Sequence, residues 1–183
     1  MYRQCVIACF YSTMLLSVFT RANAQAMPAV VRPIQIQVGA GFSFAEPDYG
    51  IVYAKGFTVY GDATYHHFLG LEAEMHYNSI FTPTDIGENT YMIGPRVSLI
   101  HQDWVNIYGK ALGGIAAFEY QKGTYPNPHT DTYGAFGVGG GIDLDVSRHM
   151  TIRAIDIEQQ WWPGYADHGL TPFVVTFGVA YRD

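Results

Sequence analysis

Apolar and polar residues alternate in eight blocks between residues 33 and 182. In the first block, residues 33–45, Ile34, Ile36, Val38, Ala40, Phe42 and Phe44 share one face. Gln35, Gln37, Gly39, Gly41 and Ser43 share the other. Successive residues of a strand point to opposite sides of its sheet, so a period of two predicts a strand with one apolar side. The same reading predicts strands over residues 51–65, 68–78, 90–101, 104–121, 132–146, 150–162 and 170–182. One block loses phase: Arg153 falls on the parity of the apolar residues Ile155, Ile157 and Trp161. Either a bulge near Ala154 resets the alternation, or Arg153 lies at an interface.

The connections alternate in length. His66-His67, Gln102-Asp103 and Ser147-Arg148-His149 are short, whereas residues 46–50, 79–89, 122–131 and 163–169 form longer links rich in Pro, Gly, Asn, Asp and Thr. Short turns at one end and longer loops at the other are the layout of an antiparallel up-and-down barrel set in a membrane. Aromatic residues gather at both ends: Tyr53, Tyr91, Tyr133, Trp161, Trp162 and Phe173 toward the long loops, and Tyr65, Phe68, Trp104 and Tyr181 toward the turns. Amphipathic rings favour the boundary between hydrocarbon and water.

The small residues on the polar face indicate which face turns inward. Gly39, Gly41, Gly137, Gly139, Gly141 and Gly178 lie there beside the charges. An eight-stranded barrel has an interior just wide enough to be filled by side chains, so small residues ease its crowding. On a solvated outer face they would only weaken the strands. The sequence therefore predicts an all-β fold: an eight-stranded antiparallel transmembrane barrel with its apolar face outward. The alternative architecture is a soluble periplasmic ligand-binding barrel with the faces reversed.

Composition narrows the classes further. Of 183 residues, 49% are hydrophobic and only 14% are charged, against about 25% charged in ordinary soluble domains. Sixteen acids against ten bases, with no basic block, exclude nucleic acid as an expected partner. At the N-terminus, Arg3 precedes an apolar run from Cys9 to Phe19, and Ala22-Asn23-Ala24 follows it. That is the pattern of a signal peptide over residues 1–24, with cleavage after Ala24 or, alternatively, after Ala26, and a barrel domain over residues 27–183. Both cysteines, Cys5 and Cys9, would leave with it. So would Arg3 and Arg21, leaving eight of the ten bases against sixteen acids. The longest later stretch without a charged residue is 168–181, too short for a membrane-spanning helix and interrupted by Gly169 and Pro172.

The hairpin rhythm, the signal-like N-terminus and the last strand, Thr171-Pro172-Phe173-Val174-Val175-Thr176-Phe177-Gly178-Val179-Ala180-Tyr181, resemble the small outer-membrane barrels of the OmpA/OmpX type, the outer membrane protein beta-barrel domain family. The resemblance covers residues 27–183 and implies a Gram-negative-type outer membrane, surrounding lipid and lipopolysaccharide, insertion by the barrel assembly machinery and a monomeric protein. Such last strands usually end on the aromatic residue, whereas Arg182-Asp183 follow Tyr181 here.

By parity Glu72, Glu74, Arg96, Lys110, Asp143, Asp145, Asp156 and Glu158 point inward on neighbouring strands. Buried charges persist when they are paired, so these residues predict a salt-bridged polar network closing the lumen. No catalytic group, cofactor or metal is expected. Glu72 and Glu74 share a face as acid/base pairs do, but a filled lumen leaves no room for a substrate. His76 and Ser79 are the nearest approach to a nucleophile pair, with His76 inward and Ser79 in a loop. His66, His67, His101 and His149 fall in the short turns, and separate hairpin tips do not by themselves supply three or four converging ligands. The expected function is structural or surface-interacting, without catalysis. The alternatives are a narrow pore for ions or small solutes, and a lipid-modifying outer-membrane enzyme.

Overall fold

The computed structural model describes residues 34–48, 53–81, 86–120 and 127–183. The proposed signal peptide lies outside the described residues, as do Tyr49, Ile51 and Val52. Eight strands follow one another in chain order: β1 (Ile34–Glu46), β2 (Ala54–Tyr65), β3 (Leu69–Phe81), β4 (Ile86–Gln102), β5 (Val105–Tyr120), β6 (His129–Asp145), β7 (Met150–Trp161) and β8 (Phe173–Arg182). Each pairs antiparallel with its sequence neighbours, and β8 pairs with β1 to close the barrel. At that seam Gly41 stands opposite Gly178 and Phe42 opposite Phe177.

Side chains alternate between the two faces as the sequence predicts, with the apolar set outside. Phe42 is 73% exposed and Leu99 66%, whereas Glu72 is 0% exposed and Arg96 2%. Ile36 and Phe177 also face out. This inverts the arrangement of a water-soluble protein, where a large continuous apolar surface would be unstable.

Several strands are longer than alternation alone predicted. β3 runs past Asn78 to Phe81, and β4 begins at Ile86 rather than at residue 90. Asn78 pairs with Glu88 and Tyr77 with Asn89. The polar Glu88 and Asn89 fall in the predicted 79–89 link, yet both are buried, as are Asn78 and Thr90 at its two edges. β6 likewise begins at His129, opposite Tyr120, rather than at residue 132. β8 begins at Phe173, because Leu170 forms an isolated bridge with Trp162 outside the strand. That connecting loop turns through Ala166 (φ 48) and Gly169 (φ 72). The second is a conformation that glycine adopts without steric cost.

Arg153 faces the interior at 1% exposure, and the pairing of β7 with both neighbours shifts register just there, between Ile142 and Asp143 and between Arg153 and Asp156. A bulge at Ala154-Ile155 therefore resets the phase, as one of the two sequence readings required. Trp162 departs from its expected place in the outer aromatic band. It follows the outward-facing Trp161, so the alternation turns it inward, where it is 1% exposed.

Candidate functional site

The lumen is built in three layers. At the long-loop end, inward positions of β4, β5 and β6 supply Met92, Leu112, Ala116, Phe118 and Ala135. Trp162 and Leu170 drop in from the β7–β8 connection to form one apolar cluster. Tyr165 closes over it, 5.0 Å from Phe118 and 5.4 Å from Tyr133, centroid to centroid. This plug interrupts the polar lumen that the sequence predicted.

Below it lies the charged layer. Lys110 Nζ on β5 stands 2.7 Å from Glu74, 2.9 Å from Asp156, 3.2 Å from Glu158 and 3.7 Å from Glu72. Arg96 on β4 reaches Asp143 at 2.5 Å, Glu72 at 2.7 Å and Asp62 at 3.2 Å. Arg153 on β7 reaches Glu72 at 2.9 Å, Asp143 at 3.3 Å and Asp156 at 3.8 Å. Six carboxylates thus surround three cations, and every cation has three or more acidic neighbours. Each of the nine is nearly or fully buried. The geometry compensates their desolvation as buried ions require.

Aromatic faces complete the layer. The Arg96 guanidinium lies 3.6 Å from the centre of the Tyr108 ring, and Arg153 lies 3.6 Å from that of Tyr60. Such stacking favours arginine over lysine at both places. The Tyr108 hydroxyl donates to Asp156. Glycine makes the room: a β-carbon at Gly39 would come within 2.4 Å of the Tyr60 side chain, one at Gly141 would strike the Ile155 carbonyl and the Tyr108 side chain, and one at Gly137 would meet the Glu158 side chain. From Glu158 a hydrogen-bonded chain climbs to the apolar plug. Gln160 Nε2 donates to Glu158 at 2.7 Å, and Trp162 Nε1 donates to Gln160 Oε1 at 3.1 Å.

Of the eight residues the sequence assigned to this network, seven come together and Asp145 does not. Asp145 pairs with Arg182 and accepts from Thr151 at 2.9 Å, nearer the short turns. Arg182, which departs from the usual end of such a strand, therefore helps to fasten that mouth, and the Asp183 amide donates to Ile36 at 3.0 Å. Arg153, Asp62, Tyr60 and Tyr108 join the network without having been singled out. Asp62, Tyr60 and Tyr108 carried a signal, since all lie on the polar parity of their strands. For Arg153 the signal was the broken alternation itself, which left a bulge and an interface position as equal readings.

His76 is also engaged: Nδ1 lies 2.7 Å from Thr58 Oγ1 and Nε2 3.1 Å from Glu74. Ser79 donates instead to Asn89 at 2.8 Å and Glu119 at 3.2 Å, so the two candidates for a nucleophile pair are held by different partners. Glu74, His76 and Glu158 bring ligand atoms within 4.8 Å of one another. The Lys110 ammonium already sits between the two carboxylates as their cation.

The third layer, at the short-turn end, is a polar cavity of about 30 Å³ whose walls include Gln37, Asp62, His67, Arg96, His101, Asn106, Asp143, Asp145 and Arg182. That is room for one or two waters, not for an organic solute.

No family model and no curated protein matches the chain. Solved structures do. Neisserial surface protein A matches with a TM-score of 0.58 at 17% identity, over 82% of this chain and 96% of the other. The N-terminal β-barrel domain of Pseudomonas aeruginosa OprF matches with a TM-score of 0.55 at 8% identity, over 81% and 97%. Ail, the attachment invasion locus protein of Yersinia pestis, solved with a heparin analogue, matches with a TM-score of 0.53 at 14% identity, over 82% and 97%. The chain has the fold of the small eight-stranded outer-membrane β-barrels.

Proposed function

We propose that this chain is an integral outer-membrane barrel of a Gram-negative-type bacterium, exported by its N-terminal signal, with a structural or surface-interacting role and no catalysis. One observation carries the reading: among the described residues the outward positions of the strands are predominantly apolar while the paired charges are enclosed. Burial of apolar surface is worth about 25 cal/mol per Å², and for this wall only hydrocarbon supplies it. Lipid and lipopolysaccharide surround the wall, the assembly machinery inserts it, and the protein is a monomer. The apolar plug above the charged layer supports a lumen closed to solutes. The test is membrane fractionation combined with gel mobility before and after boiling. A folded barrel in the outer-membrane fraction, with heat-modifiable migration, is expected. Unchanged migration and a soluble fraction would sink the reading.

A narrow pore is the second reading, favoured by the continuity of the polar mouth with the charged layer. Planar-bilayer recording separates the two, since the closed reading expects no steady openings.

A further inference from the structure

Four histidines stand at the short-turn end, and the structure gives them different surroundings. His66 sets its ring edge-on to Tyr65, with centroids 4.2 Å apart. His149 stacks on Tyr181, and its Nδ1 lies 3.1 Å from the Arg182 carbonyl oxygen. His67 and His101 instead come together, their rings 17° from parallel and their centroids 4.9 Å apart. Strand register causes the meeting. β3 and β4 are antiparallel neighbours with Leu69 opposite Val97. The residue pair before β3 and the end of β4 therefore emerge side by side at one mouth.

Three observations mark this pair as a site. His67 Nδ1 is buried without a hydrogen-bond partner. Both imidazoles line the polar cavity, together with Asp62, Asp143, Asp145 and Asn106, and Asn106 Oδ1 is also buried without a partner. Moreover, the backbone of the turn does not favour the side chain it carries. His66 and His67 both have positive φ, 48° and 59°, and the Phe68 amide donates to the Tyr65 carbonyl at 3.1 Å. Such mirror-image two-residue turns favour Asn-Gly. Histidine enters this region more readily than most residues, but glycine at position 67 would enter it without steric cost.

We propose that His67 and His101 bind a divalent transition-metal ion of the zinc type at this mouth, with the unpartnered Asn106 oxygen and water completing the shell. Two imidazoles on one ion, each with a metal–nitrogen bond of about 2.0–2.1 Å, place their ring centres about 5 Å apart. Rotation about χ2 leaves each ring centre nearly in place while it turns a nitrogen toward the ion. An imidazole pair selects zinc, copper or nickel over calcium and magnesium, which take oxygen ligands. The bound ion would tie the β2–β3 turn to the end of β4.

The test is calorimetric titration of the untagged mature protein, without the signal peptide and its two cysteines, folded in detergent micelles, with Zn²⁺ alone. One saturable ion per chain is expected. Affinity should fall at least about tenfold in His67→Gly and in His101→Ala, since even outer-shell changes cost metal sites this much. It should be unchanged in His66→Asn and His149→Ala. His67→Gly suits the turn, and gel mobility before boiling verifies that each variant is folded. No saturable binding by the wild type, or equal binding by folded His67→Gly and His101→Ala, would overturn the proposal. So would an equal loss in the His66 or His149 variants.

Discussion

The Arg153 guanidinium on β7 lies 3.6 Å from the centre of the Tyr60 ring on β2, three strands away around the barrel. The same guanidinium contacts Glu72 on β3 and Asp143 on β6. One side chain thus connects four strands through the lumen. Replacing it leaves buried carboxylates short of a partner. Arg153→Met is expected to cost about 3–5 kcal/mol, read as a lower urea midpoint in detergent. Arg153→Lys should recover only part of the loss, because it restores charge but neither the planar fork nor the ring contact.

Lys110 holds four carboxylates within 4 Å, from β3 and β7. Lys110→Met keeps the aliphatic stem and removes the ammonium, and it too is expected to cost about 3–5 kcal/mol. Because Arg153 and Lys110 share Glu72 and Asp156, the double variant should depart from additivity, which a double-mutant cycle measures.

Glycines of the inner wall are places for neighbouring side chains. Gly39→Val would displace the Tyr60 ring at about 1–3 kcal/mol of overpacking, and Gly141→Val, which meets the Ile155 carbonyl as well as the Tyr108 side chain, should cost more. Gly134 faces outward with nothing within 4 Å of an added β-carbon, so Gly134→Ala should be neutral or slightly stabilising. The contrast between inner and outer positions is read from unfolding midpoints in one series.

Trp162 fills the apolar plug at 1% exposure. Trp162→Ala should cost about 3–5 kcal/mol. It also removes the donor to Gln160. Loss of slow gel migration at a lower temperature than the wild type would register it.

His67 supplies a pH dependence. Burial, followed by the neighbouring His101 and Arg182 charges, holds its imidazole below the ordinary value of 6.5. The unfolded chain therefore binds a proton before the folded chain does. Stability is highest above the ordinary value and falls as pH drops through it toward the depressed folded value. With chelator present, the urea midpoint between about pH 8 and pH 5 should fall more steeply for the wild type than for His67→Gly.

Strand number, order, inward parity and the inverted wall were legible in the sequence because period-two alternation encodes all of them. The end of β3 and the start of β4 were not, since Glu88 and Asn89 are polar for burial in the lumen rather than for exposure in a loop. Glu72, Glu74, Arg96 and Lys110 were readable one strand at a time. Arg153 was readable only as one of two alternatives, because a bulge near Ala154 and an interface position fit the broken alternation equally well. The meeting of His67 with His101 depended on β3–β4 register, which spacing along the chain does not reveal.

No ionised group of the mid-lumen layer comes from β1 or β8. Those strands contribute Gln37, which donates to Asp143 at 3.3 Å, and Thr176, which lies 3.4 Å from the Thr58 hydroxyl. Six consecutive strands can therefore assemble the entire electrostatic lattice as a curled ribbon before its two margins meet. The join between first and last strand is then zipped mainly by main-chain amides, and it is the place where the cylinder can part with the least ionic penalty.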